Sequence, residues 1–512
     1  MSRTKSMIRN VYWSFLGQSL GILASFITRI VFIHYLSTTY LGLNGLFSNI
    51  LTILSLSELG VGTAITYSLY RPLAKDDKEQ IKALMLLFKR VYIVIGFVIF
   101  IIGFAITPFL SFFIKDMPDI EHLDWIYMLF VTNTAISYFF SYKRNLILAD
   151  QNRHIETIYR YSFYILMNVL QIIYIVLTKD YFGYLIIQVI LTLVSNWALS
   201  IKADKMYPYL KDKKIKKLPK KDTSEIIKNT KALMLKKIGG VAVNSTDNIV
   251  ISKFVGINEV AFYSNYHLVI YALFMVINQV YTSLTPGVGN FWVDQDKERR
   301  IELFNKSNFA TYWIAFFCSI CLMVLFNDFI EIIAGKDYLF SMNIVLILVI
   351  NFYFTTMRKV IYSFREASGI FYKDRYVTLY EAILNIGLSI ILAIKFGTIG
   401  VFIGTLISYF SLPFWIEVYI LYKDGFKVSV KKYYIEYFLR LISTICFAYT
   451  LYYVLSLITG PVILVFIFKC LMCVLVPNLL FYILYRNKDE FKYFSNIIKT
   501  VLKRIFRKLK LG

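Results

Sequence analysis

Apolar stretches of about 20 residues follow one another along almost the whole chain. Each is the length that crosses about 30 Å of hydrocarbon at about 1.5 Å per helical residue. Fourteen such runs are predicted to be transmembrane helices, at 11–36, 44–70, 83–106, 124–143, 157–177, 181–201, 235–256, 259–287, 308–327, 341–363, 377–395, 397–422, 434–458 and 461–485. Composition agrees: 58% of the 512 residues are hydrophobic and 17% are charged, against about 25% charged in soluble domains. The first run is too long for a signal-peptide core and lacks a small-residue cleavage site, so it is expected to persist as the first helix.

A formal net charge of +24 would suggest nucleic acid if the basic residues formed one soluble face, so their placement decides the matter. They alternate along the chain. Arg3, Lys5 and Arg9 crowd the N-terminus, and further groups fill Lys75 to Arg90, Lys143 to Arg153, Lys202 to Lys237, Lys297 to Lys306, Arg365 to Arg375 and Lys423 to Lys432. The intervening short loops hold little beyond Lys115, Lys179, Lys253, Lys336 and Lys395. This pattern follows the positive-inside rule, excludes a nucleic-acid partner and predicts that both termini are cytoplasmic.

The fold class expected is an all-α membrane protein: two parallel-repeat six-helix bundles plus two C-terminal helices. The domains read as 1–201, an N-terminal bundle; 202–232, a basic cytoplasmic linker; 233–425, a C-terminal bundle; 426–490, two further transmembrane helices; and 491–512, a basic tail. A weak internal match lays Thr28 to Leu36 on Asp247 to Val255. Six helices separate the copies, and an even number of crossings preserves orientation. In the tail, Phe494, Ile497, Ile498, Val501, Leu502, Ile505 and Leu509 recur at helical spacing opposite a basic face, as in a helix lying on the inner lipid surface.

A charge at the bilayer centre costs at least about 2.5–3.5 kcal/mol, so each one should face protein or water. Arg29 is the deepest cation, about eighteen residues into the first helix, and is expected to face the cleft between the first and seventh helices. Glu58, halfway along the second run, is its expected partner. Asp247 lies within Asn244-Ser245-Thr246-Asp247-Asn248, too dense a polar cluster for an amphipathic stripe, which suggests a wet face or a local break. Lys236, Lys237 and Arg358 either join Arg29 in lining a cavity or snorkel to the inner surface. Lys469 reads as a lipid contact or an interhelical bond. The CxxC pairs Cys318/Cys321 and Cys470/Cys473 lie in apolar runs without His or carboxylate company and read as ordinary buried thiols. No catalytic constellation, metal set or nucleotide-binding loop stands out, so neither an enzymatic role nor a cofactor is expected.

Three motifs carry a family likeness: Tyr40-Leu41-Gly42-Leu43-Asn44-Gly45-Leu46-Phe47, Leu56-Ser57-Glu58-Leu59-Gly60-Val61-Gly62 and Tyr67-Ser68-Leu69-Tyr70-Arg71-Pro72-Leu73-Ala74. With the run Asn244 to Ser252, they resemble the polysaccharide flippases of the multidrug, oligosaccharidyl-lipid and polysaccharide (MOP) exporter superfamily. The resemblance implies a bacterial inner-membrane protein that moves undecaprenyl-pyrophosphate-linked oligosaccharide by alternating access, for capsule, exopolysaccharide or O-antigen assembly. Its implied partners are that lipid, the bilayer, and a polysaccharide polymerase and glycosyltransferases. A lipid II flippase and a cation-coupled multidrug exporter are alternatives within the superfamily. From another class, a membrane polymerase or glycosyltransferase would place its catalytic residues in a large outer loop, whereas the longest outer loop here is Thr107 to Leu123.

Overall fold

The computed structural model describes residues 3–58, 60–212, 245–370 and 376–496, together with isolated residues of 218–241 and 499–500. The described residues are helical and contain no strand. The chain divides into two compact units, 1–264 and 265–512. The described part of the seventh-helix run therefore belongs to the first unit.

In the first unit the principal helices are α1 (Arg3–Tyr35), α2 (Thr38–Leu54), α3 (Val61–Ala74), α4 (Lys78–Ile106), α5 (Leu123–Phe139), α6 (Ser141–Ala149), α7 (Arg153–Thr178), α8 (Tyr181–Met206), α9 (Asp247–Phe254) and the start of α10 (Ile257–Asp294). One core cluster joins α3, α4, α6 and α8 through Ile65, Leu69, Phe88, Tyr92, Leu146 and Ala203. In the second unit α10 continues into α11 (Lys297–Ala334), α12 (Met342–Ala367), α13 (Val377–Phe396), α14 (Thr398–Ser411), α15 (Pro413–Ile420), α16 (Lys431–Ser456) and α17 (Val462–Tyr485). There α13 and α14 form a tight hairpin: Gly397 turns at φ +65°, and a Cβ on Gly400 would strike the backbone of Leu392. Small residues permit such close helix approach, which supplies packing where lipid gives no hydrophobic drive.

Eleven helices among the described residues are long and apolar enough to cross a membrane. The other three expected runs are those the backbone interrupts or the description only partly covers. Run 44–70 breaks at a 3₁₀ turn, Ser55–Glu58, followed by Gly60 at φ +89°, a left-handed conformation that only glycine enters cheaply. Ser55 also donates back to the Leu51 carbonyl at 2.8 Å, which loosens the last turn of α2. Run 124–143 becomes the 17-residue α5 and the separate α6. In run 235–256 the longest described helix is α9, of 8 residues. Run 397–422 carries a break of its own at Leu412, φ −137°, because Pro413 disfavours helical geometry in the residue before it. Ile442, Tyr453, Leu464, Leu475 and Leu479 are exposed along α16 and α17, as befits helices solvated by lipid. The amphipathic stretch foreseen in the tail lies largely outside the described residues.

Candidate substrate site

A polar seam runs the length of α1 against α7. At one end Asn10 Nδ2 donates to the Gln151 carbonyl at 2.8 Å, and Asn10 Oδ1 accepts from the His154 backbone at 2.9 Å. Further along, the Tyr161 ring lies on Gly17 and Gly21, where a Cβ at either position would overlap it. Then come Ser25 with Tyr164, 2.7 Å between hydroxyls, and Thr28 donating to Asn168 Oδ1 at 2.6 Å. Residues 17, 21, 25 and 28 share one helical face, so the seam follows from their spacing.

Arg29 follows Thr28 at the far end of this seam. It is half-buried and lies within electrostatic reach of the phenols of Tyr164 on α7 and Tyr181 and Tyr184 on α8. Tyr181 and Tyr184 are stacked, with centroids 5.9 Å apart; Tyr40 lies 4.7 Å from Tyr181, and Phe32 sits edge-on to both. Phenols within electrostatic reach supply a guanidinium with dipoles that a water-filled site would otherwise provide. The aromatic frame was not foreseen; its signal was the run Tyr181-Phe182-Gly183-Tyr184 opening an apolar stretch.

Glu58 sits elsewhere in the same unit. Its Oε1 accepts from Tyr92 at 3.1 Å, and Asn145 Nδ2 donates to that Tyr92 oxygen at 2.9 Å. Tyr92 belongs to the cluster holding Leu199 and Ala203, whereas Arg29 lies near Tyr184. Fifteen residues of α8 separate Tyr184 from Leu199, about 22 Å at about 1.5 Å each. Glu58 and Arg29 thus occupy different levels of the bundle.

Two of the motifs pack on each other. A Cβ on Gly42 would meet the Ile257 carbonyl, and one on Gly45 would stand 2.7 Å from Ser264 Oγ. Asn248 Nδ2 reaches the Gly45 carbonyl at 3.5 Å. Asp247 Oδ1, Asn248 Oδ1 and Ser252 Oγ are buried with no hydrogen-bond partner among the described residues. The C-terminal end of α9 is clasped by the loop after α4: Lys115 N donates to Ser252 O at 3.1 Å, Lys115 Nζ to Val255 O and Lys253 Nζ to Ser111 O, both at 3.4 Å. Asn244, Lys236 and Lys237 lie outside the described residues.

Arg358 occupies a different kind of site in the second unit. Its guanidinium takes Glu381 through Nη1 and Nη2, both at 2.8 Å, and Glu417 through Nε at 2.9 Å and Nη2 at 2.6 Å. Arg365 Nη1 lies 3.1 Å from Glu417 Oε2, and the Tyr409 ring lies 4.9 Å from the Arg358 guanidinium. Two arginines and two buried glutamates make a neutral quartet. Glu381 and Glu417 lie in predicted spans, where a carboxylate is itself a sequence signal for a buried ion pair. Lys469 pairs with Asp328 at 2.6 Å, an interhelical bond. The four CxxC cysteines are free thiols, and no group of metal-ligating side chains is present among the described residues.

Eleven helices long and apolar enough to cross a bilayer among the described residues, in a chain interrupted at Gly60 and before Pro413, define a multi-pass membrane protein. The sequence matches the polysaccharide biosynthesis protein family over residues 7–292, more than half of the chain, and the chain belongs to that family. Among solved structures, the lipid II flippase MurJ in an inward closed conformation aligns at 16% identity and a TM-score of 0.65, covering 94% of this chain and 99% of that one. An inward-facing MATE-family multidrug resistance transporter aligns at 16% identity and a TM-score of 0.60, covering 78% and 94%. A MOP superfamily transporter from Pyrococcus furiosus aligns at 14% and 0.56, covering 83% and 97%. These likenesses establish the shared fold. No curated protein matches the chain.

Proposed function

We propose that this protein is a flippase that carries undecaprenyl-pyrophosphate-linked oligosaccharide across the bacterial cytoplasmic membrane by alternating access, for capsule, exopolysaccharide or O-antigen assembly. Both termini are cytoplasmic in this reading, and a polymerase and glycosyltransferases act on the same lipid before and after transport. Family membership supports the substrate class. The observation that carries the reading is Arg29, a cation at membrane depth amid the phenols of Tyr164, Tyr181 and Tyr184. A diphosphate crossing hydrocarbon needs positive charge at reduced dielectric, and hydroxyl donors beside a guanidinium bind it further. No bond is made or broken.

Arg29→Ala is expected to lower delivery of the lipid-linked repeat unit to the outer leaflet of proteoliposomes by more than tenfold, while the amount of folded protein stays near normal. Arg29→Lys should retain partial transport, because a point charge attracts phosphate but lacks the two-pronged donor. Full transport by Arg29→Ala at normal protein level would refute the assignment. The likeness to MurJ over nearly the whole length of both chains favours lipid II as a second substrate reading. Running the same assay with lipid II separates the two.

A further inference from the structure

We propose a second anionic site in the first unit, where the start of α7 meets α6 and α1: Arg9, Arg144 and Arg160 form a docking site for a lipid-borne phosphate or diphosphate in the cytoplasmic leaflet. Its organising residue is Glu156, 2% exposed in the first turn of α7. One carboxylate oxygen, Oε1, forms ion pairs with Arg144 Nη2 at 2.9 Å and Arg160 Nε at 3.1 Å, neither of them in hydrogen-bonding geometry. Two guanidiniums on one acid leave an excess positive charge, and both arginine side chains remain 42% and 48% exposed.

Orientation turns that excess charge into a site. The Arg160 guanidinium lies 4.5 Å from the centre of the Tyr161 ring, and that ring is itself seated on Gly17 and Gly21. With Nε 3.1 Å from Glu156 and one face on Tyr161, the two terminal nitrogens of Arg160 make no hydrogen bond or ion pair with another side chain among the described residues and form an open fork. Such a fork matches phosphate geometry. Arg144 Nε is buried without a hydrogen-bond partner among the described residues, and so is Arg9 Nε. Arg9 is held nearby because Asn10 is pinned to Gln151 and His154, and Arg9 acts electrostatically on the His154 ring. Arg153 shares the helical face of Glu156 and Arg160 and is exposed. The neighbouring acid, Asp150, is engaged by the Tyr207 hydroxyl and by Asn152, each at 2.8 Å.

Depth selects the ligand. Arg160 lies seven residues from the start of α7, about 10 Å along its axis. With the topology of the proposed function, on which this inference rests, and with the apolar run opening at Thr157, the Arg160 side chain snorkels to the inner-leaflet phosphates. A lipid presents its phosphate there, either the diphosphate of the transported carrier or the headgroup of an anionic phospholipid.

The test is binding by the full-length protein in phosphatidylcholine nanodiscs, with undecaprenyl diphosphate in one arm and phosphatidylglycerol in the other, read by native mass spectrometry. The double variant Arg144→Gln, Arg160→Gln is expected to weaken binding in at least one arm by about tenfold or more, and the arm that changes identifies the source of the phosphate. Arg144→Lys, Arg160→Lys keeps the charge and should restore part of the binding. It also controls for folding, which a thermal melt of each variant checks. Unchanged affinity in both arms for a folded double-Gln variant would overturn the site. Binding is read without transport, so that result leaves the Arg29 assay standing, and failure of the Arg29 assay would not by itself erase a binding loss here.

Discussion

Arg29 and Arg358 both lie in helices long and apolar enough to cross a membrane, yet their surroundings differ in kind. Arg29, in the first unit, has phenols as its electrostatic neighbours. Arg358, in the second, is gripped by two glutamates through four hydrogen bonds. Phenol dipoles stabilise a charge without cancelling it. Carboxylates cancel it, so an anion near Arg358 would have to displace a glutamate. On the proposed function, the difference separates a charge kept for a ligand from one spent on architecture, and sequence position alone does not distinguish them.

The largest effect that would break this contrast is on folding. Arg358→Ala leaves Glu381 and Glu417 buried with one arginine between them, and removing one partner of a buried ion pair costs about 3–5 kcal/mol. A sharp fall in the thermal midpoint of the detergent-solubilised protein is expected, together with loss of material from the membrane. A midpoint unchanged from wild type would mean that the quartet is not structural. A second measurement sharpens the same point: Arg358→Met combined with Glu381→Met removes one charge of each sign and leaves the Arg365–Glu417 pair in place. Such replacements are often neutral, so this variant should recover most of the lost midpoint. The smallest effect belongs to the first unit. Tyr184→Phe deletes one phenol oxygen beside Arg29 and should cost about 1 kcal/mol or less in stability, while lowering transport several-fold. Equal losses of transport and stability would indicate that the phenol serves packing.

Much of the helical order was legible because crossing a bilayer imposes a length and an apolar composition that no local detail overrides. The interruptions were less so. Gly60 breaks a run whose flanks stay apolar, and its left-handed backbone leaves no mark in hydropathy beyond the glycine itself. Arg29 stood out as a lone deep cation. Its tyrosine frame did not, since aromatic residues are plentiful in every span. The quartet escaped for a related reason: Glu381 and Glu417 lie on different helices from Arg358, and a single sequence carries no record of which helices touch. Lys469 was expected to find an interhelical partner or a lipid, and the fold supplies Asp328. Asn244, Lys236 and Lys237 lie outside the described residues, so their place at the site is still carried by their position in the sequence.

The seam between α1 and α7 has a consequence for biosynthesis. Asn10, Ser25 and Thr28 bond to groups 139 to 144 residues later in the chain. At synthesis rates of about 5–20 residues per second, roughly 7–28 s pass between emergence of the two sides. During that interval the nascent first helix carries Thr28 and Arg29 into the membrane without α7, and Ser25 can turn only to its own helix, at the Gly21 carbonyl. The insertion machinery, or water drawn in beside it, must shelter that face until α7 arrives, which makes the earliest segment of the chain among the last to reach its final packing.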